Sequence, residues 1–224
     1  MKQSARDEIL SKLKAAPRKP VPSRPERPVL REISLTPGEL IESFSKNLSQ
    51  EGGIVHRVKG RREALEKLSQ IAKAEGLKKV MVSTDDVIAS LNLSAWGKEN
   101  DLRVMTSQDF DSRDSYKDAV FEEVDAGITG ADFAVAESGT LGLIHDKDQA
   151  RLTSLAPILH VAIVPVERMV GVYEQVIEKI FRGKKNLPSQ FCFITGPSMT
   201  GDIRGVPFKG MHGPRKIIVI LVGE

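Results

Sequence analysis

Apolar positions along this chain recur in two rhythms, helical and strand-like, and from residue 36 onward the two alternate. Ahead of that point, Ile9, Leu10 and Leu13 stand at helical spacing with Lys and Arg on the other face. This predicts one short amphipathic helix over 5–16. Thr36 as N-cap and Pro37 in the first helical position open a helix that ends near Gly52 and Gly53. The pattern then predicts a strand over 54–58, a helix over 61–75 closed by Gly76, and a buried strand over 79–83. Thr84 is expected to cap a short helix with Asp85 and Asp86 in its first turn, where the helix dipole favours anions. A strand over 102–105, a helix over 115–124 and paired runs at 133–136 and 141–144 follow. A strand over 158–164, a helix over 170–182 ended by Gly183, and strands over 190–195 and 216–222 complete the pattern.

Strands that alternate with helices predict an α/β fold: an open, mostly parallel sheet with helices on both faces and right-handed crossovers. The two hairpin-like pairs late in the chain predict a mixed edge. Residues 17–28 hold five of the 12 prolines, an extended composition that builds no core. Two regions result, an N-terminal helix and proline-rich arm over 1–30 and an α/β domain over 31–224.

Charge follows the same division. Residues 1–31 carry nine Lys/Arg against three Asp/Glu, a net +6, so the remainder carries −3 of the total +3. A body without basic excess and an aromatic content of 5% argue against a nucleic-acid partner. No apolar run reaches the roughly 18 residues of a membrane span, and no apolar segment follows the N-terminus as in a signal peptide. A cytoplasmic location is the expectation. Cys192 is the only cysteine and sits in an apolar run, so a buried, inert thiol is expected. One thiol does not hold an iron–sulfur cluster, which takes four ligands. No cofactor or metal is therefore expected on this chain.

Candidate chemistry gathers in two glycine-bearing turns that close strands, as ligand crevices do in open sheets. In the first, Gly139 between Ser138 and Thr140 lets backbone N–H groups converge on an anion, and Glu137 offers a base, nucleophile or orienting acceptor. In the second, Gly196, Ser198, Thr200 and Asp202 form a similar device, with His212 ten residues beyond Asp202 across a loop or hairpin. The expected ligand is a small carboxylate or phosphate, in one crevice shared by both turns with His212 at its rim. The plain alternative is a pair of tight turns whose hydroxyls bond their own backbone. His160, inside an apolar strand, reads as buried and hydrogen-bonded, while His56 and His145 carry no supporting pattern. HExxH, P-loop, GxGxxG, CxxC and GxSxG motifs are all absent.

Residues 129–140, the Arg151-Leu152 pair followed by Pro157 and His160, residues 195–202 and residues 210–214 together closely resemble the LUD family. Two departures are a loop over 144–149 in place of the family's Glu-Gly-Asn run, and Gly201 where alanine is usual. The resemblance implies a sugar isomerase/CoA transferase-like fold with its site over strand ends. It also implies a role in L-lactate oxidation beside two iron–sulfur subunits, with the clusters held by those partners. Two alternatives stay open: an independent CoA transferase-type enzyme with Glu137 as its active carboxylate, and a non-catalytic assembly subunit. Oligomerisation is open as well.

Overall fold

The computed structural model describes residues 5–17, 31, 33–182, 187, 188, 190–203, 206–210 and 212–223, with backbone alone over 201–209. Helix α1 (Ala5–Ala15) buries no residue. The proline-rich segment 18–30 lies outside the described residues. Helix α2 (Pro37–Gln50) opens on a reciprocal cap. Thr36 Oγ1 accepts the Glu39 N–H at 3.3 Å, and Glu39 Oε2 accepts the Thr36 N–H at 2.8 Å. Then come β1 (Ile54–Val58), α3 (Arg61–Glu75), β2 (Lys79–Val82), α4 (Asp86–Leu91), α5 (Leu93–Glu99), β3 (Arg103–Thr106), α6 (Arg113–Glu122) and β4 (Ala126–Gly130). The chain continues through β5 (Phe133–Val135), β6 (Thr140–His145), α7 (Arg151–Leu155), β7 (Leu159–Pro165), β8 (Met169–Val170) and α8 (Tyr173–Phe181). Strands β9 (Gln190–Ile194), β10 (Met199–Ile203), β11 (Val206–Lys209) and β12 (Lys216–Val222) complete it.

Six strands form one parallel sheet in the order β1-β12-β7-β4-β2-β3. β12 is buried on both faces, as its unbroken apolar sequence Ile217–Leu221 requires: Ile218 and Ile220 face one core, and Ile217, Val219 and Leu221 the other. The first core is filled by α3, α4 and α5 through Leu68, Val87 and Trp96. On the opposite face lie α2, through Phe44 and Leu48, and a second sheet of four strands ordered β8-β5-β6-β9. Ala134 and Ala136 present only methyl groups to this core, so the second sheet seats closely on the first. Phe44 is 0% exposed, and burying such a side chain contributes about 1.5–3 kcal/mol. Among the described residues no helix is long and apolar enough to cross a membrane.

Several expectations change. A strand absent from the predicted pattern, β4, precedes the paired runs: it ends at Gly130 in the parallel sheet, and β5 begins at Phe133 in the second sheet. The strands at 190–194 and 216–222 do not pair with each other. β9 pairs antiparallel with β6, while β12 enters the middle of the parallel sheet. Asp85, not Thr84, caps α4, because its carboxylate takes the N–H groups of Val87 and Ile88 at 3.0 and 3.2 Å. The same carboxylate accepts the Gly130 N–H at 3.1 Å, which ties α4 to the end of β4. The predicted helix at 170 starts at Tyr173, since Met169 and Val170 extend β5 as a parallel neighbour. Cys192 is half-buried rather than buried.

Candidate functional site

The first turn joins β5 to β6. Gly139 adopts φ +64°, and a Cβ there would lie 2.2 Å from the backbone nitrogen of Leu48. Its lack of a side chain therefore serves a close approach to α2 as well as a left-handed backbone. Asn47 Nδ2 and Ser43 Oγ both donate to the Ala136 carbonyl, at 2.8 and 3.0 Å, and fasten the turn to that helix. The Glu137 N–H is already donated to the Gly171 carbonyl at 3.0 Å, so it takes no part in an anion nest.

The second turn follows β9 and reaches the same place. Register between β6 and β9 sets Leu141 opposite Ile194, which brings Thr140 beside Thr195. Gly196, at φ +73°, packs so closely on Glu51 that a Cβ would stand 2.6 Å from its carbonyl oxygen. Both turns thus rest on the C-terminal end of α2. Antiparallel pairing in the second sheet brings them together, not the shared strand ends of the parallel sheet.

Between the turns lies a connected set of hydroxyls. Ser138 Oγ donates to the Tyr173 hydroxyl at 2.8 Å and stands 2.8 Å from Thr140 Oγ1. Thr140 Oγ1 lies 2.7 Å from the Tyr173 hydroxyl and 2.5 Å from Thr195 Oγ1. Thr140 is fully buried, whereas Tyr173 and Ser138 are half-buried. Four hydroxyls so linked can share protons among themselves and re-aim them toward an incoming acceptor.

Glu137 borders this set. Its Oε1 accepts the N–H of Tyr173 at 3.0 Å, at the start of α8, where the helix dipole favours a negative charge. The guanidinium of Arg31 reaches the same carboxylate at 3.1 Å and holds Glu174 at 2.7 Å. The Arg31 contact keeps the Glu174 carboxyl below the usual carboxylate range.

Ser198 lies three residues past Thr195, within about 10 Å by chain length. Its N–H donates to the Pro214 carbonyl at 2.8 Å, and its own carbonyl accepts the Gly210 N–H at 2.8 Å. Gly210 and Pro214 are thereby both held against Ser198, and His212 is exposed. Thr200 is not in a turn: it pairs with Phe208 across the β10–β11 hairpin. Asp202 belongs to the same hairpin, and its side chain lies outside the described residues.

His160 is buried, with Nε2 2.9 Å from Thr129 Oγ1, and burial lowers its pKa to about 3. Sequence reasoning missed Tyr173, Thr195 and Arg31. Tyr173 opens α8 at the place where an earlier helix start was expected, and Arg31 stands at the boundary between the arm and the α/β domain, with no motif around it.

The profile of the LUD domain matches residues 41–222. The chain is 40% identical over 106 residues to the lactate utilization protein C of Oceanobacillus iheyensis, a match covering 46% of each chain. It therefore spans about half the length of that relative. Identity to the lactate utilization protein C of Anoxybacillus flavithermus is 32% over 162 residues, covering 72% of this chain and 71% of the other. Among solved structures, a DUF162 family protein from Deinococcus radiodurans superposes with a TM-score of 0.58 at 25% identity, covering 85% of this chain and all of that one.

Proposed function

The chain belongs to the LUD domain family, and from that membership we propose that it serves L-lactate utilization as a subunit without an iron–sulfur cluster. In this reading two iron–sulfur subunits carry the electrons, and this chain binds a small carboxylate in the crevice beside Glu137. The observation that carries it is the hydroxyl set of Ser138, Thr140, Tyr173 and Thr195 next to the Arg31–Glu137 pair. A 2-hydroxy acid needs a cation or donors for its carboxylate and an acceptor for its hydroxyl. Arg31 and the protein hydroxyls supply the former, Glu137 the latter. The names of the relatives and the single Cys192 support the same division of labour.

The test is growth of the parent organism on L-lactate after chromosomal replacement by the Ser138→Ala, Ser198→Ala double variant. Loss of growth on lactate, with growth on glucose preserved and the purified protein still folded by circular dichroism, is the expected result. Normal growth on lactate would remove the crevice from the reaction. A non-catalytic assembly role would then stand, and one observation favours it: Ile9 and Leu13 of α1 are 60% and 68% exposed, an apolar stripe suited to docking on a partner subunit.

A further inference from the structure

A concavity lies between α6 and the loop that runs from β6 into α7, apart from Glu137. It encloses about 710 Å³, within the range of small-ligand sites. Four cationic side chains line it, Arg113, Lys117, Lys147 and Arg151, against the carboxylates of Asp114 and Asp146. Of the two carboxylates, Asp146 is engaged by backbone N–H groups and Asp114 extends into solvent. Asp146 Oδ1 accepts the N–H groups of Asp148 and Gln149 at 2.8 and 3.0 Å, and Asp114 stands 3.9 Å from Lys117. Lys147 is paired with Asp148 at 2.6 Å. Arg113 and Arg151, by contrast, have no anionic partner among the described residues. Two unpaired guanidiniums in one concavity are a bidentate receptor waiting for oxyanions.

Two further side chains line the cleft. His145 also lines the cleft and is only 5% exposed. Its Nδ1 lies 3.2 Å from the Gln149 carbonyl, and its Nε2 has no partner among the described residues. With Nδ1–H donated to that carbonyl, Nε2 is left as a buried lone pair behind the cleft wall. Phe121 lines the same cleft yet is 57% exposed. A large ring left in water beside a cationic cleft offers a stacking face to a planar base. Arg113, Lys117 and Phe121 follow one another four residues apart, so α6 presents all three on one side.

We propose that this cleft binds a nucleotide, with Arg113 and Arg151 on its phosphates and Phe121 against its base. The site is independent of the lactate reading and stands or falls without it.

Isothermal titration of the full chain with ADP and with inorganic pyrophosphate tests the assignment. Saturable binding of both is expected at or below about 1 mM. Arg113→Ala combined with Arg151→Ala should weaken both ligands roughly tenfold or more. Phe121→Ala should weaken ADP severalfold and leave pyrophosphate unchanged. All three positions are exposed, so circular dichroism should report folded variants. The Ser138→Ala, Ser198→Ala protein should bind ADP as the unaltered chain does. Absence of saturation, unchanged binding by the double-arginine variant, or loss of ADP binding in the double-serine variant would each overturn the site. Pyrophosphate binding with ADP indifferent to Phe121→Ala would overturn the nucleotide assignment.

Discussion

The guanidinium of Arg31 lies 3.1 Å from the carboxylate of Glu137, joining a residue ahead of α2 to the turn between β5 and β6. The two are 106 positions apart in sequence, and Glu137 is also the N-terminal anchor of α8. These two engagements separate in their energetics. The ion pair is exposed on the Arg31 side and screened by water, so Arg31→Ala should leave the melting temperature nearly unchanged. Glu137→Ala also removes the acceptor of the Tyr173 N–H and should cost about 1 kcal/mol, as loss of a helix cap does. Urea denaturation of the two single variants checks the contrast.

Gly139→Ala is the more damaging change. Its φ of +64° and the Leu48 nitrogen 2.2 Å from any Cβ leave no room for a methyl group. Either the turn must leave α2 or the helix end must shift. Destabilisation of at least about 2–3 kcal/mol is expected, read as a fall in the urea midpoint.

Tyr173→Phe deletes a hydroxyl that contacts both Ser138 and Thr140, the latter fully buried. The ring stays packed edge-on to Phe193 at 4.7 Å, so the loss is confined to hydrogen bonding. About 1–2 kcal/mol of stability should go with it. Ligand binding in the crevice should weaken in the same variant, measured by titration with L-lactate.

Stability toward acid should bear the mark of His160. Burial depresses its pKa to about 3, against an ordinary value of 6.5. Above pH about 6.5 both folded and unfolded chains hold it neutral. As pH falls from about 6.5 toward about 3 only the unfolded chain takes the proton, so stability drops by up to about 1.4 kcal/mol per pH unit. His160→Gln should flatten that slope in urea melts between pH 7 and 5. An identical slope in the variant would place the acid sensitivity elsewhere. His145 is shifted down by burial too, and it keeps part of the slope in the variant.

Much of this fold is legible in the amino-acid sequence because its signals are local. Thr36-Pro37, Gly76 and the apolar run of β12 each act through their own neighbours, and all fall where expected. What stays hidden is long-range partnership. Nothing in residues 190–194 says that β9 will lie beside β6 rather than β12, since the same apolar alternation serves either neighbour. The meeting of Thr140 with Thr195 inherits that ambiguity, although the glycine-bearing turns themselves stand out. Tyr173 and Arg31 carry no local mark of function at all, because each matters only through a residue more than 30 positions away. His145 escapes notice for a similar reason: its significance comes from the α6 residues facing it across the cleft.

β12 stands between β1 and β7, and Ile54 in β1 pairs with Ile218. During synthesis on the ribosome, β1 emerges early and then waits, its one sheet neighbour among the described residues still untranslated. The other strands of the parallel sheet can assemble on β7 meanwhile, but β1 remains an unsatisfied apolar segment until residues 216–222 clear the exit tunnel. At about 5–20 residues per second that interval lasts many seconds, a window in which chaperones have a defined strand to shield.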